Sequence, residues 1–420
     1  MIADATSRAD MRLDPEAGRA SPVLPFGVLV AVLLLIPALD LSRSTLTLLN
    51  HCGIAMVFAL SYNMLLGKAG MLSFGHAVYF GLAGFFCLHL LGWIGEGGAF
   101  GSFPVFFLPV AGFAVGALAG AVIGWPSCRR SGTPFAMISL GVAELVAALA
   151  YMFDSAFGGE MGVSGDRMVG PELLGLSLGP VQEVYWFVAF WTVAGCAGMH
   201  AFSRTPLGRL SEAARDNAQR VQYVGYDPAR VRYLVFIFAG AFAGMAGGMA
   251  AVQDEIITID ALSLAPSGAI LIATFVGGVR HFWGPVLGAV LMTWMESNLS
   301  DYSEAWLLYL GVAFILVVIY APEGLAGAVA GAWRLARSAD RARMAPVLAL
   351  RLAGAGCMTA ALVVTVEAAM RWSSGHGETF APLGVPLPHD APATWIAAVV
   401  PAAAGLALLR RARRIEETRT

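Results

Sequence analysis

The stretch Tyr233-Leu-Val-Phe-Ile-Phe-Ala-Gly-Ala-Phe-Ala-Gly-Met-Ala-Gly-Gly-Met-Ala-Ala-Val252 decides how this chain must be read. It carries no charged residue and has the ~20 apolar residues that a helix needs to cross the hydrocarbon of a bilayer. Gly240, Gly244 and Gly248 recur in it every four residues, slightly more than one helical turn, and so form one smooth strip. Gly112, Gly116, Gly120 and Gly124 form a second strip in another apolar run. Where side chains are missing, a neighbouring backbone can approach closely, and dispersion contacts replace the absent hydrophobic drive. Contact between helices of this chain is the plain reading of both strips, and contact with a partner subunit is the alternative.

The rest of the chain agrees. Its 420 residues are 58% hydrophobic and 13% charged, with a mean hydropathy of +0.71. Soluble domains are roughly 25% charged, so a water-soluble enzyme is excluded, as is a disordered chain. The balance of 26 basic against 28 acidic residues gives no support to nucleic-acid binding. Further apolar stretches lie at about 22–41, 44–66, 71–93, 103–125, 134–157, 184–202, 283–300, 304–321, 347–370 and 392–409. A shorter one at 267–279 either crosses or re-enters, and counting it gives twelve crossings. The expected fold is all-α: a polytopic integral membrane bundle of about twelve spans.

Orientation follows the arginines and the chain's one lysine, Lys68. Residues 1–21, the loops 126–133 and 203–232, the Arg-rich linker 331–346 and the basic tail 410–420 fall on one side when twelve spans are counted. That side is expected to be the cytoplasm, with both termini there. The opposite side holds only Arg43, Arg167 and Arg371. The N-terminal segment mixes acids with arginines and lacks a small-residue cleavage site, so 22–41 is read as a retained span. The core is expected at 22–330, with a further two-helix hairpin at 347–409. Five scattered cysteines suggest no disulfide framework and no metal knuckle.

Polar groups inside spans are costly and stand out. Ser61, Asn63, Ser73 and His76 flank a glycine-rich turn, Glu144 and Asp154 share a span that also holds Ser139, and Glu296 and Asn298 close another. Ser73, His76, Ser139 and Glu144 are the candidates for lining or gating a pathway. For Glu144 the other reading is a carboxyl held by helix-to-helix hydrogen bonds, and for His76 a satisfied interface residue. No Asp/Glu/His relay of the kind a proton-coupled pump needs is visible.

Loop 203–232 is the longest polar connection. A short amphipathic helix is expected over 211–224, with Ser211 as its N-cap, Glu212 in its first turn, Gly225 as its stop and Leu210, Ala214, Val221 and Val224 available for docking. Such a helix could pass force between membrane and soluble partner; an ordinary solvated connector is the alternative. A Walker motif needs Gly-Lys-Ser/Thr, but Lys68 precedes Ala69, so the chain cannot be its own ATPase. No zinc-protease or nucleophile-elbow motif occurs, and neither enzymatic activity nor a cofactor is expected.

Five blocks resemble, in order, the LivM-type permeases of branched-chain amino-acid ATP-binding-cassette importers. They are Leu60-Ser-Tyr-Asn-Met-Leu-Leu-Gly-Lys-Ala-Gly-Met-Leu-Ser-Phe-Gly-His-Ala-Val-Tyr-Phe80 with its following glycines, Phe135 to Glu144, Gly208 to Asn217 with Val224 to Pro228, Gly277 to Gly288, and Ala321 to Leu325. They cover about 44–330. The resemblance implies a second, LivH-like permease subunit, two cytoplasmic ATP-binding subunits, an extracytoplasmic solute-binding protein and a small-molecule substrate. Glu212, Ala213, Ala214, Arg215, Asp216 and Gly225 would then form the loop that couples to the ATPase. Urea, amides or other small solutes are the alternative cargo within the wider family. A stand-alone channel or secondary transporter and a membrane-embedded enzyme are the competing classes. The sequence departs from the family's pattern at Arg280-His281-Phe282-Trp283 and in the hairpin 347–409.

Overall fold

The computed structural model describes residues 23–36, 42–98, 100–172, 175–302, 306–320 and 323–337, with short stretches between 350 and 411. The N-terminal segment 1–21, most of the linker and hairpin, and the tail beyond 411 lie outside the described residues. The chain divides after Ser267 into two compact units.

The first unit contains α1 (Val23–Leu35), α2 (Arg43–Asn63), α3 (Ala77–Gly95), α4 (Leu108–Ser127), α5 (Thr133–Met152), the single turn α6 (Asp154–Phe157), α7 (Val181–Arg204), α8 (Pro206–Asp216), α9 (Ala218–Tyr223) and α10 (Pro228–Asp254). Among the described residues, six helices are long and apolar enough to cross a membrane: α2 with its π-helical extension to Lys68, α3, α4 with the 3-10 turn before it, α5, α7 and α10. The remaining apolar stretches are described over shorter or less apolar helices. The expected span 71–93 starts later than its hydropathy implies, because residues 70–76 are not helical.

Helix α10 is the mast of this unit. Asp227 accepts a hydrogen bond from the Ala229 amide and Pro228 takes the first helical position, a paired start signal. Nearly every residue from Ala239 to Val252 is buried. The two glycine strips meet: α4 runs antiparallel to α10, with Gly112 against Gly244 and Gly248, Gly116 against Gly240 and Gly244, Gly120 against Ile237 and Gly124 against Phe236. A Cβ on Gly240 would sit 2.9 Å from the Gly116 carbonyl oxygen, and one on Gly116 or Gly244 would run into backbone outright. On another side Gly247 meets the backbone of α3 at Phe80 and Gly84. Helices α2 and α7 run parallel, with Gly53 against Val188 and Thr192 and Gly195 against Val57 and Met245.

These pairings sort the loops into two ends. Residues 64–70, 128–132 and 205–227 gather at one end: Arg215 meets Gly67 and Gly70, and the Tyr233 hydroxyl donates to the Ala121 carbonyl just inside. Residues 96–107, 158–180 and 255–263 gather at the other. There β1 (Val163–Ser164) pairs antiparallel with β2 (Ile256–Ile257), the Asn50 amide donates to Gln253 at 2.7 Å, and the Trp191 indole donates to Phe106. Arg167 donates to the Val252 and Gln253 carbonyls and pairs with Glu255 at 3.6 Å. A cation thus covers the carbonyls left open at the negative end of α10.

Helix α11 (Leu264–Gly277) begins in the first unit and continues into the second, which adds α12 (Gly284–Tyr302), α13 (Trp306–Tyr320) and α14 (Gly324–Arg337). Gly277 and Gly288 bring α11 against α12, Gly278 meets Gly324, and Phe275 meets Phe314 edge-on. Where 347–409 is described, Gly405 packs on Gly354 and Met358.

Overpacking a tight contact costs ~1–3 kcal/mol. Gly244→Ala is expected to lower the thermal midpoint in detergent by that order. Gly141→Ala, where a Cβ meets nothing within 4 Å, is expected to be neutral or slightly stabilising.

Candidate functional site

Two features of the first unit bear on function: a polar break inside the bundle, and a helical lever at the end of the bundle beside it.

The break begins where α2 widens into a π-helix over Met64–Lys68. Gly70 then takes φ +67, which suits glycine, and the Met71 amide returns to the Leu65 carbonyl at 2.9 Å. Residues 70–76 run without regular structure before α3 starts at Ala77. Non-helical backbone at membrane depth survives only when its polar groups are met by protein or a wet cavity. Here they are met from three helices. The Phe74 amide donates to Ser139 Oγ of α5 at 3.0 Å, the Ala77 amide to Ser267 Oγ of α11 at 2.9 Å, and the Tyr62 hydroxyl to the Ser73 carbonyl at 3.0 Å.

His76 is fully buried at the end of the break. Its Nε2 lies 2.9 Å from the Ser61 hydroxyl, its ring stacks on Phe58, and Tyr62 and Tyr79 meet it edge-on. Asn63 Oδ1, Ser73 Oγ and His76 Nδ1 are buried without a hydrogen-bond partner. Most buried polar atoms are satisfied, so three orphans at one break mark spare polar capacity.

Ser73, His76 and Ser139 are therefore brought together. Glu144 is not: five residues after Ser139 on a helix, it falls on another face and is exposed midway along α5. Its helical neighbours Gly141 and Ala148 are exposed too, as are Met137, Leu145 and Met152. Among the described residues Glu144 has no helix-to-helix hydrogen bond of the kind that the alternative reading requires.

The lever differs from expectation. Instead of one helix over 211–224 there are two, α8 and α9. Thr205 caps α8, accepting from the Gly208 amide, with Pro206 at the first position. Ser211 is no cap; it is buried one turn inside and donates to the Gly208 carbonyl. Asn217, extended at φ −158, breaks the helix and caps α9 through the Arg220 amide. Thr205 followed by Pro206 at the first helical position is a paired start signal that sets α8 off before Ser211 is reached, and Asn217 is a cap as good as serine. Ala214 and Val221 are buried as expected of docking positions, but Val224 is exposed.

Of the coupling-loop residues, Ala213 and Asp216 are exposed, and Gly225 takes φ +89 with nothing near its Cβ position. Glu212 is half-buried, and Arg215, though exposed and paired through Nε with Asp216 at 3.0 Å, reaches back to the membrane helices. Glu212 pairs with Lys68, and Arg215 donates to the Gly67 carbonyl while its stem lies 2.6 Å from the Cβ position of Gly70. Beyond them the lever ends in Tyr223, Val224 and Tyr226, which are 87%, 73% and 51% exposed. Sequence reasoning gave no role to Lys68, Gly70, Ser267 and Tyr223, although Val224 and the block from Val224 to Pro228 were singled out. The one lysine among 26 basic residues was the available signal.

Burial pushes the Cys128 thiol, next to the lever end, up to about 12. All five cysteines are free. Among the described residues no group of three or more His, Cys, Asp or Glu is placed to hold a metal ion.

A bundle of membrane-length helices packed backbone to backbone, with a broken polar segment between two of them and an amphipathic lever at one end, is the architecture of a polytopic α-helical membrane protein. The chain belongs to the family described as branched-chain amino acid transport system / permease component, whose model matches residues 44–322. It is similar to the high-affinity branched-chain amino acid transport system permease protein LivM of Escherichia coli (strain K12), 26% identical over 71% of this chain and 74% of that protein. LivM of Salmonella typhimurium (strain LT2) is 26% identical over 68% of this chain and 70% of that protein. The probable LivH of Methanocaldococcus jannaschii is 30% identical over 30% of this chain and 42% of that protein. No solved structure matches.

Leaving a buried donor unsatisfied costs ~1–3 kcal/mol. Ser139→Ala orphans the Phe74 amide and is expected to destabilise by that order, with hydrogen exchange rising first in 70–76. Unchanged exchange there would refute the role of Ser139 as an anchor of the break.

Proposed function

We propose that the chain is one permease half of an ATP-binding-cassette importer for branched-chain or related amino acids. The observation that carries this reading is the lever tip. Tyr223, Val224 and Tyr226 form an apolar, aromatic projection beside a run of arginines, at the end of a membrane bundle. Exposed aromatic patches of this kind suit a protein interface. A chain without a phosphate-binding lysine motif must take its energy elsewhere, and the tip is where a separate ATPase subunit would seat.

On this reading the lever end is cytoplasmic, in accord with Arg129, Arg130, Arg204, Arg209, Arg220 and Arg230. Twelve crossings keep both termini on that side of a bacterial inner membrane. Two ATP-binding subunits dock below, and an extracytoplasmic binding protein delivers the solute at the end held by Arg167. A sister permease, LivH-like, closes on the open face of α5. An ionisable group at mid-span must face a partner or a wet path and not lipid, so Glu144 is assigned to the seam between the two permeases. Ser73, His76 and Ser139 form the inner polar segment of the same path. ATP drives transport only by favouring one arrangement of these helices over the other.

The test is ATP-dependent uptake by vesicles holding this chain, its sister permease and the ATPases, with binding protein outside. Uphill accumulation by the chain alone would refute the reading. Tyr223→Asp with Val224→Asp is expected to cut ATPase copurification about tenfold while the thermal midpoint stays near that of the parent, since hot-spot residues at an interface typically cost more than 1 kcal/mol each. Glu144→Gln is expected to slow uptake about tenfold with the complex intact, the scale of ~1.4 kcal/mol.

A further inference from the structure

We infer that Lys68, Glu212 and Arg215 form a clasp that delivers movement of the α8–α9 lever into the broken segment 70–76. This inference rests on the importer reading. It goes further, because it gives the glutamate and arginine of the lever a task inside the chain and not on the ATPase.

Glu212 and Arg215 lie three residues apart, hence on one face of α8. Both attach to the short segment 67–70. Lys68 takes the Glu212 carboxylate, the Gly67 carbonyl takes the Arg215 guanidinium, and Gly70 lies under the Arg215 stem. The same face buries Ser211 and Ala214 toward the bundle, so the carboxylate of Glu212 is already engaged within the chain. Ala213 and the aromatic tip remain open to a partner, whereas Asp216 pairs with Arg215 at 3.0 Å.

The attachment point is the mechanically soft place in the bundle. Residues 64–68 form a widened turn and 70–76 have no regular structure, whereas α3, α4 and α10 are locked together backbone to backbone. The far side of the soft segment is hooked to Ser139 on α5 and Ser267 on α11. A pull on Gly67–Gly70 therefore reaches α5, the helix that carries Glu144. The ion pair is partly open to water, at 24% and 40% side-chain exposure, and pairs of this kind add little to stability. The clasp's value is positional.

Lys68 is the chain's one lysine, so acylation by a water-soluble succinimidyl ester, mapped by mass spectrometry, reports on a single side chain. Glu212→Gln is expected to raise the Lys68 acylation rate severalfold. In vesicles holding the full complex, Lys68→Glu is expected to lower solute moved per ATP about tenfold while both ATPases stay bound, in the range of ordinary coupling energies. The exchange Lys68→Glu with Glu212→Lys is expected to restore it to within about threefold of the parent by the same measure. Should Lys68→Glu fail to assemble, Lys68→Met serves for the uncoupling measurement.

Transport per ATP unchanged in the single variants, or an assembled exchange variant as poor as Lys68→Glu, would overturn the clasp. A parent complex without ATP-driven uptake would overturn the importer reading instead. Hydrogen exchange in 70–76 of the chain in nanodiscs then decides the clasp alone: faster in Lys68→Met supports it, and unchanged sinks it.

Discussion

The close approach of α4 and α10 is the constraint on which the rest of the bundle depends. In lipid no hydrophobic force drives one apolar helix against another, so affinity has to come from contact area and from short-range attraction between backbones. Gly112, Gly116, Gly240 and Gly244 permit that contact because nothing projects from either surface. Each glycine costs helix propensity, roughly 1 kcal/mol relative to alanine, and the tight seam offsets it. Once the seam is set, α3 fits the remaining side of α10 through Gly84 and Gly247. The mast is then buried almost from end to end.

A rigid mast makes the break between α2 and α3 more consequential. Its polar groups are shared among serines from α5 and α11 and a tyrosine from α2, so it is a junction of helices that the glycine seam does not weld. Ser73 and His76 within it, and Asn63 at the end of the preceding helix, each hold a buried polar atom without a partner. Such a segment can change its hydrogen bonds at low cost, whereas the seam can change only by opening.

The opposite end is closed by different means. Asn50 with Gln253, His51 with Asp254, and Arg167 with Glu255 and two α10 carbonyls make a polar collar. The β1–β2 pair staples the loop before α7 to the segment after α10. Glu255 itself takes the left-handed φ of 57, a conformation uncommon outside glycine and asparagine, and its side chain is held by the Arg167 amide. One end of the mast is therefore fixed by charge and hydrogen bonds, and the other carries the lever.

Composition and apolar run length alone determined that this chain is a helical membrane protein, because a bilayer leaves helices as the means of satisfying a long apolar backbone. The spacing of the glycines made both strips legible, since a four-residue repeat projects to one face whatever the surroundings. It could not say that the strips face each other, because partner choice is a property of three-dimensional arrangement and not of period. Helix bounds slipped for a related reason. Hydropathy carried a span through 71–76, as a serine and a histidine buried by tertiary partners count the same as any others. The lever's residues were identified, yet their directions were not: Glu212 and Arg215 look like surface charges until Lys68 and Gly67, some 144 and 148 residues away, are placed beside them. Sequence period shows which residues share a face, and only the packed chain shows what that face meets.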